Sequence, residues 1–297
     1  MTIPESQFDT WSHQGSITQS SDTYQTIRRA LQDSRAVYAD KSFNVFLQGS
    51  YGNDTNIYSE SDVDTVIRLD SIFGYDISDL PLEQQAAFQQ AFRGSTNYTF
   101  AEFKKGVVTR LSNAFEANNV TPENKAIKIK ASGSRRSADV VGCYQYRRYI
   151  AFINSNDYKY IPGVIFPSAS SGDIINYPKQ HSDNCTTKHQ ATNSWFKPMV
   201  RIVKNMRSRL VDNGVIAKDV APSYYIEGLL YNVPNDKFGN SYAATFCHCI
   251  NWLRSTDQSK LKCANEQYLL FGNSNVQWQS QKCDQFLDAL VTFWNNW

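Results

Sequence analysis

The chain is short of the residues that build metal clusters, disulfide frameworks and hydrolytic triads. Its four histidines, His13, His181, His189 and His248, are scattered along 297 residues. No arrangement of them with serine or cysteine suggests a nucleophile with an adjacent base. The six cysteines, Cys143, Cys185, Cys247, Cys249, Cys263 and Cys283, include no C-x-x-C pair. On a helix Cys247 and Cys249 would point about 200° apart, at about 100° per residue, too divergent for a zinc knuckle. Buried free thiols are expected instead. Charge of one sign is also lacking: a net charge of +2 argues against non-specific binding of duplex nucleic acid over a large surface. Any anion binding must come from a local basic cluster. No apolar run approaches the roughly 18 residues that span a bilayer. Met1–Ser6 has neither the basic nor the apolar region of a signal peptide, so a cytoplasmic protein without membrane association is expected. There is no internal repeat.

What is present is an ordinary globular composition, 41% hydrophobic and 20% charged, long enough for a large core and two lobes. One stretch concentrates the chemistry. The apolar run Val45-Phe46-Leu47 leads into Gly49-Ser50-Tyr51-Gly52-Asn53-Asp54-Thr55, and Ser61-Asp62-Val63-Asp64 follows. If Val63–Leu69 is a strand, Asp62 and Asp64 point to the same face. Paired carboxylates repel unless a cation lies between them, and divalent metals bridging phosphate oxygens are the usual reason to build such a pair. An isolated D-x-D reads as a polar strand end; the preceding Gly-Ser turn favours a nucleotide site.

Periodicity places the elements around it. Tyr24, Ile27 and Leu31 predict a helix over 19–33, and Phe43–Leu47 a short strand. Residues 83–93 read as helical. Phe100, Phe103, Val107, Leu111 and Phe115 mark a longer helix that ends by Thr121-Pro122. Ala126–Ala131 and Ala138–Tyr144 predict a β-hairpin whose second strand opens with Asp139. That is the third carboxylate a metal site needs, although a lone Asp at a strand start also reads as a turn cap. Residues 151–187 read as a loop-rich hinge or lid. From about residue 189 the chain turns helical, with Trp195, Met199, Ile202, Val203, Met206 and Leu210 facing a core. Lys197, Arg201 and Lys204 form a basic stripe on another face, the one dense cationic feature available to a triphosphate. Further helices start at Pro222-Ser223 and run through Tyr242–Leu253 and Cys283–Trp294.

Gly49-Ser50, Asp62-Val63-Asp64 and Asp139 resemble the polymerase-β-like nucleotidyltransferase signature. Lys204 and Pro222-Ser223-Tyr224-Tyr225-Ile226-Glu227 resemble its template-independent branch. Pro4–Gln7, Trp11–Gly15, Leu47–Asn56, Asn176-Tyr177-Pro178-Lys179 and Trp195–Pro198 look like clade E of the bacterial cGAS/DncV-like nucleotidyltransferases of anti-phage signalling. The resemblance covers nearly the whole chain.

It implies an α+β fold: a polymerase-β-like sheet lobe, residues 1–187 with an N-terminal helix, packed on a mainly helical lobe, 188–297, with the active site in the cleft between them. Asp62, Asp64 and Asp139 would be catalytic and hold two Mg²⁺ ions, for which Mn²⁺ can substitute. Gly49 and Ser50, with Lys204 and Ser223, would bind the triphosphate, and Tyr224 would stack on a base. Asn176 would accept uracil, its amide offering both donor and acceptor; it reads equally as a turn former before Tyr177-Pro178. The implied product is a cyclic dinucleotide or oligonucleotide containing a pyrimidine, made from NTPs by a monomer and read by a downstream effector. No nucleic acid activator is expected, since no zinc-bearing insertion is visible. The terminal Phe293-Trp294-Asn295-Asn296-Trp297 lacks the small residues used for C-terminal conjugation. A linear, RNA-tailing nucleotidyltransferase and a catalytically inactive nucleotide-binding module remain as alternatives.

Overall fold

The computed structural model describes residues 3–15, 17–58, 62–94, 97–167 and 172–297, so Ser61 and Ser168–Ser171 lie outside the described residues. In chain order the elements are α1 (Glu5–Ser12), α2 (Thr18–Leu31), β1 (Phe43–Leu47), the single turn α3 (Gly49–Gly52), β2 (Val63–Asp76), α4 (Leu82–Ala91), α5 (Phe100–Phe115), β3 (Val120–Pro122), β4 (Ile127–Ile129), β5 (Ala138–Asn154), β6 (Asp157–Phe166), β7 (Ile174–Asn176), α6 (Pro178–Ala191), α7 (Phe196–Asp212), α8 (Ser223–Tyr231), α9 (Tyr242–Ser255) and α10 (Ser280–Asn295). This α+β chain forms two units. A sheet unit takes Gln19–Leu47 and Asp62–Tyr177; a helical unit takes Met1–Thr18, Gln48–Ser61 and Pro178–Trp297. The division therefore falls ten residues before the expected 187/188 boundary, and the Gly49-Ser50 stretch belongs with the helices.

In the sheet unit β2 runs antiparallel to β1 and parallel to β5. The other edge of β5 takes β4 over Ala138–Val140 and then β6 from Tyr144 onward, while β3 pairs β4 and β7 pairs β6. The predicted hairpin is thus present as β4–β5. Val63, Thr65, Val66, Ile67 and Leu69 are buried, and an irregularity between Leu69 and Phe73 lets β2 continue past its expected end. Helix α5 starts in a capping box between Thr99 and Glu102 and buries Phe103, Val107 and Leu111. It stops at Phe115, short of the expected end, because Glu116 (φ 66°) turns the chain toward β3.

The 151–187 segment is not loop-rich among the described residues, although the division between the two units falls within it, at Tyr177/Pro178. It holds the end of β5, all of β6 and β7, and most of α6. Pro162 sits where β6 is an edge, β7 pairing only Val164–Phe166, and an edge strand tolerates proline. Gly163 marks a close approach, since a Cβ there would lie 3.0 Å from the Asn176 carbonyl and that backbone would have to give by a few tenths of an ångström. Tyr158 and Tyr160 stack in a small core with Phe88, Tyr149 and Phe152.

The helical unit is built on α7, in which Met199, Ile202, Val203, Met206 and Leu210 of the predicted stripe are buried, while Trp195, its expected first member, stands at the N-cap of the helix and is half-buried. Helix α1, for which the residue pattern gave no separate expectation, adds Phe8 and Trp11 to a cluster with Phe246, Phe293, Trp294 and Trp297. The Glu5 carboxylate accepts from the backbone N–H of Tyr242 and Ala243 at 2.6 and 3.0 Å, capping α9. Removing it by Glu5→Ala is expected to lower stability by about 1 kcal/mol, the typical net value of such bonds at an exposed cap, read from the urea midpoint. The six cysteines are free, and all but Cys247 are buried. Among the described residues no helix is long and apolar enough to cross a membrane.

Candidate active site

In the sheet unit the three predicted carboxylates converge at the start of two parallel strands. Asp64, second in β2, is the register partner of Asp139, second in β5. Asp62 immediately precedes β2; its carboxylate accepts from the Ser137 hydroxyl, and the Ser137 carbonyl accepts from the Val63 N–H at 3.2 Å. Ser137 thereby fixes Asp62 against the start of β5, a role the sequence analysis did not assign. Burial, followed by the charge of Asp62, pushes the Asp139 carboxyl above the usual carboxylate range, with Lys128 on β4 opposing. The register sets Asp64 next to Asp139, Asp62 raises the Asp139 carboxyl through its charge, and an all-oxygen donor set suits Mg²⁺ or Mn²⁺. The residues therefore fit the implied metals.

In the helical unit Gly49 adopts a left-handed conformation (φ 70°) that only glycine takes freely, opening the single turn α3. The turn is closed by Asn53 N–H on the Gly49 carbonyl at 3.1 Å and Thr55 N–H on the Ser50 carbonyl at 2.8 Å. The basic stripe of α7 lies against the residues that follow it. Lys197 Nζ pairs with the Asp54 carboxylate at 2.9 Å, Arg201 donates to the carbonyls of Ser12 and Asp54, and Lys204 Nζ donates to the Thr55 carbonyl at 2.8 Å. Lys204 is 0% exposed. The stripe was expected to meet a triphosphate; in the structure it bonds the chain's own acidic and carbonyl oxygens and so anchors the segment that follows the Gly49-Ser50 turn.

Opposite charge comes from Glu227 on α8, itself 3% exposed. Its carboxylate accepts from Asn53 Nδ2 at 2.9 Å and Thr55 Oγ1 at 2.5 Å, and bonds to His181 Nε2 at 2.6 Å. Burial pushes this carboxyl up, but His181, Lys204 and Thr55 together outweigh it and hold it below the usual glutamate value. His181, Cys185 and Glu227 also form a buried His/Cys/Glu group whose donor atoms lie within 4.8 Å of one another. Its chemistry is that of a closed hydrogen-bonded centre. The carboxylate already bonds three side chains, the nearby Lys204 charge favours its ionised form, and burial pushes the Cys185 thiol well up.

Ser223 opens α8 and accepts from Arg207 Nη2 at 3.3 Å. Tyr224 stacks on His181, centroids 4.8 Å apart, and its hydroxyl accepts from Asn265 Nδ2 at 2.9 Å. Asn176 ends β7, where its side-chain oxygen accepts from the Tyr177 N–H at 2.8 Å, as a turn former would. Sequence reasoning missed Asn53, Thr55, His181 and Glu227 as a connected group. One signal was available: Glu227 interrupts the apolar run Ile226 to Leu230, and a carboxylate there needs a buried partner.

The profile of the cGAS/DncV-like nucleotidyltransferase C-terminal helical domain matches residues 183–295. A cyclic UMP-AMP synthase of Rhodothermus marinus is 41% identical over 298 residues, spanning 100% of this chain and 99% of that protein. Its solved structure with Apcpp and Upnpp superposes with a TM-score of 0.88 over 99% of this chain and 97% of that one, at 40% identity. A cyclic dipurine nucleotide synthase of Elizabethkingia meningoseptica is 32% identical over 299 residues, 97% of this chain and 99% of that protein. Similarity that runs from end to end, through both the paired-carboxylate sheet and the helical unit, leaves one conclusion: the chain belongs to the cGAS/DncV-like nucleotidyltransferases.

Proposed function

We propose that this nucleotidyltransferase joins NTPs into a cyclic dinucleotide or short cyclic oligonucleotide containing a pyrimidine, with release of pyrophosphate. The observation that carries the chemistry is the in-register pairing of Asp64 with Asp139 beside Asp62. Two Mg²⁺ ions held by these carboxylates would supply Lewis acidity, making the acceptor ribose hydroxyl more acidic and neutralising charge on the leaving pyrophosphate. In the sheet unit Asp139 would lie beside that hydroxyl, and Ser137 would keep Asp62 in place. In the helical unit the backbone N–H groups around Gly49 and the Ser50 hydroxyl would hold the terminal phosphates, a use of glycine that allows close approach. Ser223 would donate to phosphate, and Tyr224 would stack on a base through the face away from His181. Lys204 would serve the triphosphate through the Thr55 carbonyl it holds.

Stacking is blind to base identity, so base choice is assigned to Asn176. Its side-chain oxygen already accepts from Tyr177 N–H, so its Nδ2 would donate to a uracil carbonyl. The similarity to a cyclic UMP-AMP synthase supports a uridine nucleotide in the product. The enzyme would act as a monomer without a nucleic acid activator, in an anti-phage signalling system whose effector reads the product.

Incubation with the four NTPs and Mg²⁺, labelled one nucleotide at a time and followed by phosphatase, tests this reading. A phosphatase-resistant product labelled from UTP is expected, and Asn176→Ser should shift incorporation toward purines by a few-fold. Such a shift corresponds to on the order of 1 kcal/mol between competing bases. A phosphatase-sensitive product would mean linear transfer, and no pyrophosphate release would mean a binding module.

A further inference from the structure

We infer that Glu227 is a positioning residue for the phosphate-binding turn, acting through Asn53 and Thr55 rather than on the nucleotide itself. This rests on the reading that Gly49 and Ser50 hold the NTP phosphates. The turn α3 is a single helical turn, closed by the bonds of Asn53, Asp54 and Thr55 N–H to the carbonyls of Gly49, Tyr51 and Ser50, too little to fix its own geometry. Its exit is held from outside. Asn53 and Thr55 reach Glu227, 174 and 172 residues away in the chain, and both side chains are buried. The Thr55 N–H is the group that bonds the Ser50 carbonyl. The Thr55 hydroxyl is thus the direct connection between the Glu227 carboxylate and the backbone of Ser50.

Glu227 is in turn oriented by His181, on α6, and charge-balanced by Lys204, on α7. The carboxylate bonds Asn53 and Thr55 at the exit of the turn and His181 on α6, and it is itself carried by α8, so its position is set by the core. A core-anchored acceptor of this kind keeps the N–H groups of the turn in one arrangement before nucleotide arrives, which lowers the ordering cost of binding. The interaction is made equally with bound substrate and transition state, so its loss should appear in KM rather than kcat.

Thr55→Val tests this with an isosteric side chain that lacks the hydroxyl. The KM for NTP is expected to rise on the order of tenfold with kcat within about twofold of wild type, and Thr55→Ser, which keeps the hydroxyl, should restore KM. Glu227→Gln should raise KM in the same direction, with thermal melting confirming that each variant is folded. Unchanged KM in folded Thr55→Val, or failure of Thr55→Ser to rescue, would overturn the inference. If the wild-type protein itself turned over no NTP, the enzymatic reading would be what failed. Weaker binding of a non-hydrolysable NTP to Thr55→Val, measured directly, would then still test the positioning role.

Discussion

Asp139→Asn is expected to abolish nucleotidyl transfer, by on the order of 10³-fold or more, while the metal-free variant melts no lower than the wild type. The two halves of this result have one cause. In the folded protein burial and the Asp62 charge raise the Asp139 carboxyl above its ordinary value of 3.8. A carboxyl raised on folding contributes stability that is present below the unfolded value and lost as pH rises through the folded one. At neutral pH the ionised Asp139 therefore opposes the fold, and asparagine removes that opposition while keeping the shape. The double change Asp62→Ala, Asp64→Ala should eliminate turnover as completely. Mg²⁺ or Mn²⁺ should raise the melting temperature of the wild type and leave that of both variants unmoved, because ions that bind only the folded site stabilise by mass action. Turnover retained in either variant would sink the assignment of these carboxylates. A large drop in metal-free melting temperature for Asp139→Asn would instead make Asp139 a structural residue.

These carboxylates were legible because strand periodicity carries them. In a strand over Val63 to Leu69 successive side chains take opposite faces, D-x-D therefore shares a face, and the parallel register of β2 on β5 then sets Asp64 beside Asp139. The α7 core stripe was legible for the same reason, since spacing alone dictates which side chains share a helix face. What lies on the opposite face of α7 was not. Lys197, Arg201 and Lys204 read as solvated or ligand-facing because buried cations are rare. Only tertiary structure shows that the Gly49–Thr55 segment packs on them, 143 to 149 residues away. The 151–187 segment misled for a local reason: Pro162 and Gly163 look like loop punctuation but occupy an edge and a close approach within β6. Gly49 read as a turn and is one, wound into the single turn α3.

The burial of Lys204 makes its loss the second large effect. Lys204→Met keeps the length of the side chain and removes its charge, leaving Glu227 3% exposed without the ammonium that helps hold its carboxyl low. Losing the buried bond to the Thr55 carbonyl and a cation that helps hold a buried carboxylate should cost about 1–3 kcal/mol, so a clear fall in the urea midpoint is expected. Glu227→Gln in the same background should recover part of it, because the uncompensated charge is then gone. A coupling on the order of 0.5–3 kcal/mol is expected for residues sharing one network. The pH dependence follows from the direction of the Glu227 shift. A carboxyl lowered on folding contributes stability present above the unfolded value of 4.5 and lost as pH falls through the folded one. Without Lys204 the burial of Glu227 is less well opposed, its carboxyl rises, and acid unfolding of Lys204→Met should begin at a higher pH than in the wild type. If Lys204 served only as a phosphate ligand, its removal would raise KM and leave both the urea midpoint and the acid transition where they are.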